Sequence, residues 1–278
     1  MSDPVGLLAC AGRFPVAFAE KARQVGRPVV CVGIAGMADP VLQDLCTEFR
    51  WLNRMSLGFI FRTFRRAGVR QWTMAGKFQK HLLLRRGRWL TLWPDWRLLR
   101  CYYFRDRANN ADDNLLLTLI GEFDRQGFRC LSALDLCPEL LVKPGVLTRR
   151  HPTAAEEKDI RFGWTLAKEM GRLDVGQSVM VKHRAVLAVE AIEGTDQAIL
   201  RAGELCGRSG FVVVKVAKPQ QDDRFDVPTV GPATIEAMVK AGGRVLAVDA
   251  GRTILLDEAD TIRRADAAGI TVTAVSLD

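Results

Sequence analysis

Short apolar runs rich in β-branched residues recur along this chain, and the stretches between them carry apolar residues at helical spacing. Residues 5–11 (VGLLACA) form the first run, stopped by Gly12. Residues 15–26 then read as a helix with Pro15 near its start and Gly26 past its end. Residues 28–34 (PVVCVGI) are a second run, apolar throughout as a strand covered on both faces must be. Two such strands around one helix make a βαβ unit, in which the turn holding Gly12 and Arg13 precedes a helix N-terminus, a place that favours phosphate. The turn has no GxGxxG, so it does not satisfy a dinucleotide fingerprint.

The alternation continues. Residues 55–67 form a basic amphipathic helix, and 69–75 a third strand ending at Gly76. Residues 112–127 are a helix with Leu115, Leu116, Leu119, Ile120 and Phe123 on one face and Asp112 and Asp113 at its positive end, and 128–131 are a further strand. From 138 to 152 periodicity fails and Pro138, Pro144, Gly145 and Pro152 accumulate, a linker signature. A boundary near residue 150 gives domains 1–150 and 151–278. The second half reads as a helix at 156–170, strands at 178–182 and 185–190, a helix at 196–206, a strand at 210–216 and a helix after Pro232. Strands at 245–248 and 253–256, a helix at 258–268 and a strand at 270–275 complete it. The expectation is two α/β domains, an N-terminal Rossmann-like one and a C-terminal one with a mixed sheet, with the substrate between them.

Charge narrows the classes of function. Forty Lys and Arg against 32 Asp and Glu leave a net charge of +8, and arginine is concentrated between Arg50 and Arg107 among Trp51, Trp72, Trp89, Trp93, Trp96, Tyr102 and Tyr103. Within residues 81–105 the tryptophans at 89, 93 and 96 stand among arginines, either as core packing or as a surface resting in lipid headgroups. An RNA-binding module would use the same residues, but the RNP and KH signatures are missing. No apolar run approaches the roughly 20 residues that span a bilayer. The opening MSDPVGLLACAGRF lacks the basic region and long apolar core of a signal peptide, so the expected location is the cytoplasm. Seven cysteines form no CxxC pair and fit a reducing compartment, while His81, His151 and His183 are scattered, against zinc and against a binuclear Asp/His site.

Chemistry-bearing residues gather between residues 189 and 231, where Glu190, Glu193, Thr195, Asp196, Lys215, Lys218, Asp222, Asp223, Arg224 and Asp226 stand between apolar runs. Acids, cations and a hydroxyl emerging together at strand ends suit a charged, phosphorylated ligand. Asp226, between Phe225 and Val227, is either a turn-capping acid or a catalytic one. Asp222 and Asp223 suit a hard cation such as Mg²⁺ or a solvated acidic loop. In Glu193-Gly194-Thr195-Asp196, Thr or Asp would cap a helix whose free N–H groups could meet an anion. Lys218 and Arg224 would neutralise charge on a phosphoryl group, or pair with Asp222 and Asp223.

Several segments resemble the LpxI family, the UDP-2,3-diacylglucosamine pyrophosphatases of bacterial lipid A synthesis. They are LDVGQSVMV (173–181), VEAIEGTDQAILRA (189–202), KVAKPQQDDRFDVPTVGPATI (215–235) and the tail LLDEADTIRRADAAGITV, with ADDNLL (111–116) and LLACAGRFPVAFAEKAR further back. The opening turn, with Cys10 and Ala11 before Gly12, and the stretch from Arg54 to Phe59 depart from the family pattern, which leaves the lipid preference open. The resemblance implies hydrolysis of a lipid nucleotide to UMP and 2,3-diacylglucosamine 1-phosphate, with Asp226 matching the acid on which the family's hydrolysis depends. The candidate substrate-binding residues are Gly12, Glu193, Gly194, Thr195, Asp196, Lys218, Arg224 and Thr229; the family resemblance implies a metal without saying which acid holds it, and Asp223 is the candidate ligand. The expected cofactor is Mg²⁺, with Mn²⁺ as its substitute; if the Arg/Trp segment is a lipid-facing surface, the expected setting is peripheral on the anionic inner leaflet, and nucleic acid is not an expected partner. A homodimer stays open. The alternative is a non-catalytic nucleotide-sugar or acidic-lipid binding protein on the same fold.

Overall fold

A computed structural model describes residues 2–77, 95–97 and 112–277. The chain divides into two compact units, Met1–Pro138 with Asp223–Phe225, and Glu139–Asp222 with Asp226–Asp278.

The first unit runs β1 (Val5–Ala9), α1 (Phe14–Gln24), β2 (Val29–Ile34), α2 (Leu42–Leu45), β3 (Glu48–Leu52), α3 (Leu57–Arg66), β4 (Gln71–Ala75), α4 (Asp112–Arg125) and β5 (Arg129–Cys130). Its sheet has the order β3-β2-β1-β4-β5 with every pair parallel. That is the Rossmann-like winding expected from the apolar runs, with β1 and β2 buried along their whole length. β3 was not legible as a strand. It lies at the sheet edge, and its sequence EFRWL pairs Glu48 with Arg50 on the outside, so it lacks the apolar run of its neighbours. α3 buries Leu57, Ile60, Phe61 and Phe64 against the sheet and turns Arg62, Arg65 and Arg66 outward. The side chain of Ser56 caps its N-terminus by accepting from Phe59 N at 3.2 Å. The Arg/Trp stretch 81–105 falls outside the described residues apart from 95–97. Among the described residues no helix is long and apolar enough to cross a membrane.

The second unit runs β6 (Gly145–Val146), α5 (Ala154–Arg172), β7 (Ser178–Lys182), β8 (Ala185–Val189), α6 (Thr195–Leu205), β9 (Val212–Lys215), β10 (Thr229–Val230), α7 (Pro232–Ala241), β11 (Val245–Asp249), β12 (Ile254–Leu255), α8 (Glu258–Ala267) and β13 (Thr271–Val275). Six strands form a mixed sheet in the order β6-β13-β11-β9-β7-β8. β9, β11 and β13 are parallel, and β7, β8 and β6 are joined to it antiparallel. β6 occupies the stretch read as linker, two residues at one edge. β12 pairs with β10 in a separate two-stranded ladder, and its Ile254 also bridges Leu141 in antiparallel fashion.

Two local devices fix the frame around the strand ends. Gly163 lets α5 lie directly on β9, since a Cβ there would stand 2.8 Å from Val214 Cγ2. The β7–β8 hairpin turns through His183 and Arg184, both at positive φ (52° and 59°), a turn normally made by Asn or Gly. Asp159 of α5, 6% exposed, makes the strained turn tenable by accepting from His183 N at 2.9 Å and Arg184 N at 2.6 Å.

Candidate active site

Three lysines stand at or beside the C-terminal ends of β9 and β11 in the second unit, each set among oxygen acceptors. β9 is buried throughout and ends on Lys215, 3% exposed, whose ammonium donates to Thr195 Oγ1 at 2.9 Å and to the Thr229 carbonyl at 3.0 Å. Thr195 in turn donates to Glu190 Oε1 at 2.8 Å. Two residues past β9, the Ala217 peptide is gripped on both sides. Its N–H donates to Asp249 Oδ2 at 3.2 Å, its carbonyl accepts from Lys168 Nζ at 3.2 Å, and Lys168 and Asp249 are themselves paired at 2.6 Å.

Lys218 follows immediately. Its ammonium donates to Asp174 Oδ1 at 2.7 Å and lies 3.1 Å from Asp226 Oδ2, so one cation joins two carboxylates. Burial disfavours the ammonium, but the two acids more than offset this and hold its pKa above the ordinary lysine value. Lys218 therefore stays charged across the neutral range, which makes it an electrostatic partner and not a proton acceptor. Asp174 sits at φ 55° in the turn after α5, where few non-glycine residues go. The end of α5 lies against Lys218, with Gly171 placed so that a Cβ would come 3.4 Å from the Lys218 Cα.

The site residues read from sequence distribute unevenly. Asp226 and Lys218 come together. Thr195, Glu190, Lys215 and the Thr229 carbonyl form the second cluster. The helix cap differs from the reading: Gly194, at φ 83°, is the N-cap of α6 and makes no side-chain cap. The Thr195 hydroxyl is instead committed to Glu190 and Lys215. Asp196 stands in the first turn of α6, and Glu193 pairs with Arg201 at 2.5 Å. Asp223 is exposed and its carbonyl accepts from Ser132 Oγ at 2.7 Å, while Arg224 is half-buried; both belong to the first unit. Gly12 also lies there, at φ 102°, after the end of β1, where Ala11 and Lys77 exchange backbone hydrogen bonds at 3.2 and 2.8 Å. The neighbouring Arg13 makes a two-bond pair with Glu20. Asp174, Asp249 and Lys168 were not singled out from the sequence.

Among the described residues no three His, Cys, Asp or Glu side chains converge as a metal cluster. A Mg²⁺ ion commonly takes only one or two carboxylates and completes its shell with phosphate oxygens and water. Asp174 and Asp226 meet that smaller requirement, being two hard oxygen donors gathered around one ammonium.

Fold and site together define a two-domain α/β protein whose C-terminal domain gathers cations and carboxylates at the ends of parallel strands, the equipment for an anionic ligand. The family model of the LpxI N-terminal domain matches residues 4–140, and that of the LpxI C-terminal domain matches residues 143–273. A curated relative from Caulobacter vibrioides, the UDP-2,3-diacylglucosamine pyrophosphatase LpxI, is 32% identical over 279 residues, covering 98% of this chain and 97% of its own length. The chain belongs to the LpxI family.

Proposed function

We propose that this protein hydrolyses the pyrophosphate of UDP-2,3-diacylglucosamine, giving 2,3-diacylglucosamine 1-phosphate and UMP in lipid A biosynthesis. The relative of the same length supports the substrate. The single observation that carries the chemistry is Lys218 held between Asp174 and Asp226.

Water attacks one phosphorus, and the bridging P–O bond breaks with its electron pair going to the departing phosphate. Asp226 accepts a hydrogen bond from that water and orients it, a task for a carboxylate that a neighbouring ammonium favours in its ionised form. Lys218 faces the phosphate oxygens and offsets the charge that builds on them. Thr195, with Glu190 and Lys215 behind it, fixes the start of α6 beside Gly194, where Glu193 and Asp196 border the ligand. Thr229, whose carbonyl is tied to Lys215, and Arg224 and Gly12 are further substrate contacts in this reading. Asp226 and Asp174 would hold Mg²⁺, or Mn²⁺ in its place, with Asp223 as an additional acidic group. When bound, the ion supplies Lewis-acid neutralisation of the pyrophosphate. The substrate is a membrane lipid, so the enzyme works at the cytoplasmic face of the inner membrane.

The test is incubation of the purified protein with the lipid nucleotide and Mg²⁺ and measurement of UMP. Release of UMP that depends on Asp226 is the expected result. Tight binding of the nucleotide with no UMP would replace the enzyme by a binding protein on the same fold.

A further inference from the structure

Each of the two larger sheets ends in two edge strands, and three of these four edges are protected against further pairing. β3 carries Glu48 and Arg50. β5 is two residues long, and one of them is Arg129. β6 is also two residues long and directly follows Pro144, which has no N–H to give. Charge, brevity and proline are the usual means of keeping an unpaired strand from adding a foreign one.

The fourth edge, β8, has none of them. Its five residues, AVLAV, include no charge and no proline, and among the described residues it pairs with β7 alone. The Val189 carbonyl is taken by Arg201 of α6 at 2.8 Å, so the open stretch runs from Ala185 to Ala188. The edge is apolar on both faces of the sheet. Val186, 44% exposed, is in register with Val181 and so lies on the side covered by α5. On the other side Arg201 brings α6 to the edge, and Leu205, one turn further along the same side of that helix, is 65% exposed. An open apolar strand flanked in this way is a template for another strand.

We propose that β8 is a homodimer interface, in which the β8 strands of two copies pair antiparallel about a two-fold axis and join their six-stranded sheets into one. An identical strand run in the opposite direction offers the same donors and acceptors, so one pairing serves both copies. The contact uses up the open edge of each copy, and the short, proline-preceded β6 stops the joined sheet from growing at its far ends. Charge favours a second copy as the occupant and fixes the direction. β8 begins after the exposed Arg184 and is followed by Glu190 and Glu193, so antiparallel pairing sets the Arg184 of each copy beside the acidic end of the other. Parallel pairing would set arginine against arginine.

The experiment measures mass by sedimentation equilibrium over about 1–100 µM protein, where a short interface associates. The chains compared are wild type, Val186→Lys, Leu205→Lys and Val239→Lys, the last a control at a position 53% exposed on α7. A two-fold contact doubles every substitution, so Val186→Lys sets two ammonium groups against each other and should weaken the dimer at least about 100-fold. Leu205→Lys, at the flank, should weaken it about 10-fold, and Val239→Lys should match the wild type. Amide hydrogen exchange locates the contact: Ala185 to Ala188 should exchange more slowly at high than at low concentration in the wild type, and at one rate in Val186→Lys. If circular dichroism shows Val186→Lys to be unfolded, Leu205→Lys, at the more exposed position, carries the test. A wild type that stays monomeric up to about 100 µM would overturn the proposal. So would a dimer that both edge variants leave intact, an equal loss in Val239→Lys, or exchange at 185–188 that ignores concentration.

Discussion

Asp174→Asn tests whether the Asp174–Lys218–Asp226 arrangement works as a unit. Asparagine keeps the size of the side chain and tolerates the positive φ of this turn, so the change removes charge with little backbone cost. A hydrogen bond between charged groups contributes about 1.5–3 kcal/mol. The Asp174 side chain is 34% exposed, so solvent screening lowers the expected loss of stability to about 1 kcal/mol. Catalysis should suffer more, because Asp226 is then the one carboxylate partner of the ammonium among the described residues, and a displacement of about 1 Å at a reacting centre costs on the order of 100-fold. The assay is UMP release with kcat and KM separated, in wild type, Asp174→Asn, Lys218→Met and the double variant. If Asp174 acts through Lys218, its substitution should lower kcat by about 10- to 100-fold in the wild-type background and do nothing further once Lys218 is methionine. Additive losses would refute the reasoning. A second reading comes from alkaline unfolding. The Lys218 pKa is raised in the folded state, so its contribution is complete below the ordinary lysine value of 10.5 and is lost as pH rises through the folded value. With Asp174 neutralised the folded value falls, and alkaline unfolding should begin at lower pH than in the wild type.

Asp226→Ala should leave a folded protein that binds the lipid nucleotide but turns it over at least about 1,000-fold more slowly, as for a group needed mainly in the transition state; near-normal UMP release would remove Asp226 from the mechanism. Exhaustive chelation should abolish activity, with Mg²⁺ or Mn²⁺ restoring it and Zn²⁺ serving poorly, since carboxylate and phosphate oxygens select hard cations; full activity after chelation would leave the charge on the pyrophosphate to protein cations such as Lys218 and remove the metal from the mechanism. Asp159→Ala should cost about 2–4 kcal/mol in urea unfolding through loss of two charge-assisted bonds to the His183–Arg184 turn. Replacing His183 and Arg184 by Asn and Gly should recover part of that loss, because the turn would then need less support.

Much of the architecture was legible because parallel strands buried on both faces leave an unmistakable trace. VGLLA, VVCVGI and VVVK are apolar or nearly so, and each became an interior strand of its sheet. The edges were not legible. β3 carries Glu48 and Arg50 because one of its sides has no strand to meet, and β6 and β10 are two residues long, too short for any periodicity to show. The site divides along similar lines. Lys215, Lys218 and Asp226 stand in one stretch of sequence and were visible as a charged interruption between apolar runs. Asp174, Asp249 and Lys168 reach the same strand ends from elsewhere, lying 44, 32 and 49 residues from the groups they contact. Asp249 was hidden further because the strand was expected to stop at residue 248, so its carboxylate read as part of a loop.

Which of the three lysines can serve a ligand follows from the burial of its partners more than from its own. Lys168 is 27% exposed, yet the acid it holds, Asp249, is only 4% exposed and has the Ala217 N–H as its other donor. Withdrawing Lys168 toward a phosphate would leave a buried carboxylate without its counter-ion, which costs several kcal/mol. Lys215 is itself 3% exposed and is engaged by Thr195 and the Thr229 carbonyl, so it too is committed to the frame. Lys218 differs because its partners are the less buried acids, Asp174 and Asp226 at 34% and 25% exposed, although Asp226 Oδ2, the oxygen that faces the ammonium, is itself buried. The Lys168–Asp249 pair fixes Ala217, the residue before Lys218, so the cation with the more exposed partners is mounted on a fixed peptide. That division of labour suits differential stabilisation of a transition state, which needs a rigid support and a charge set in place before the reaction.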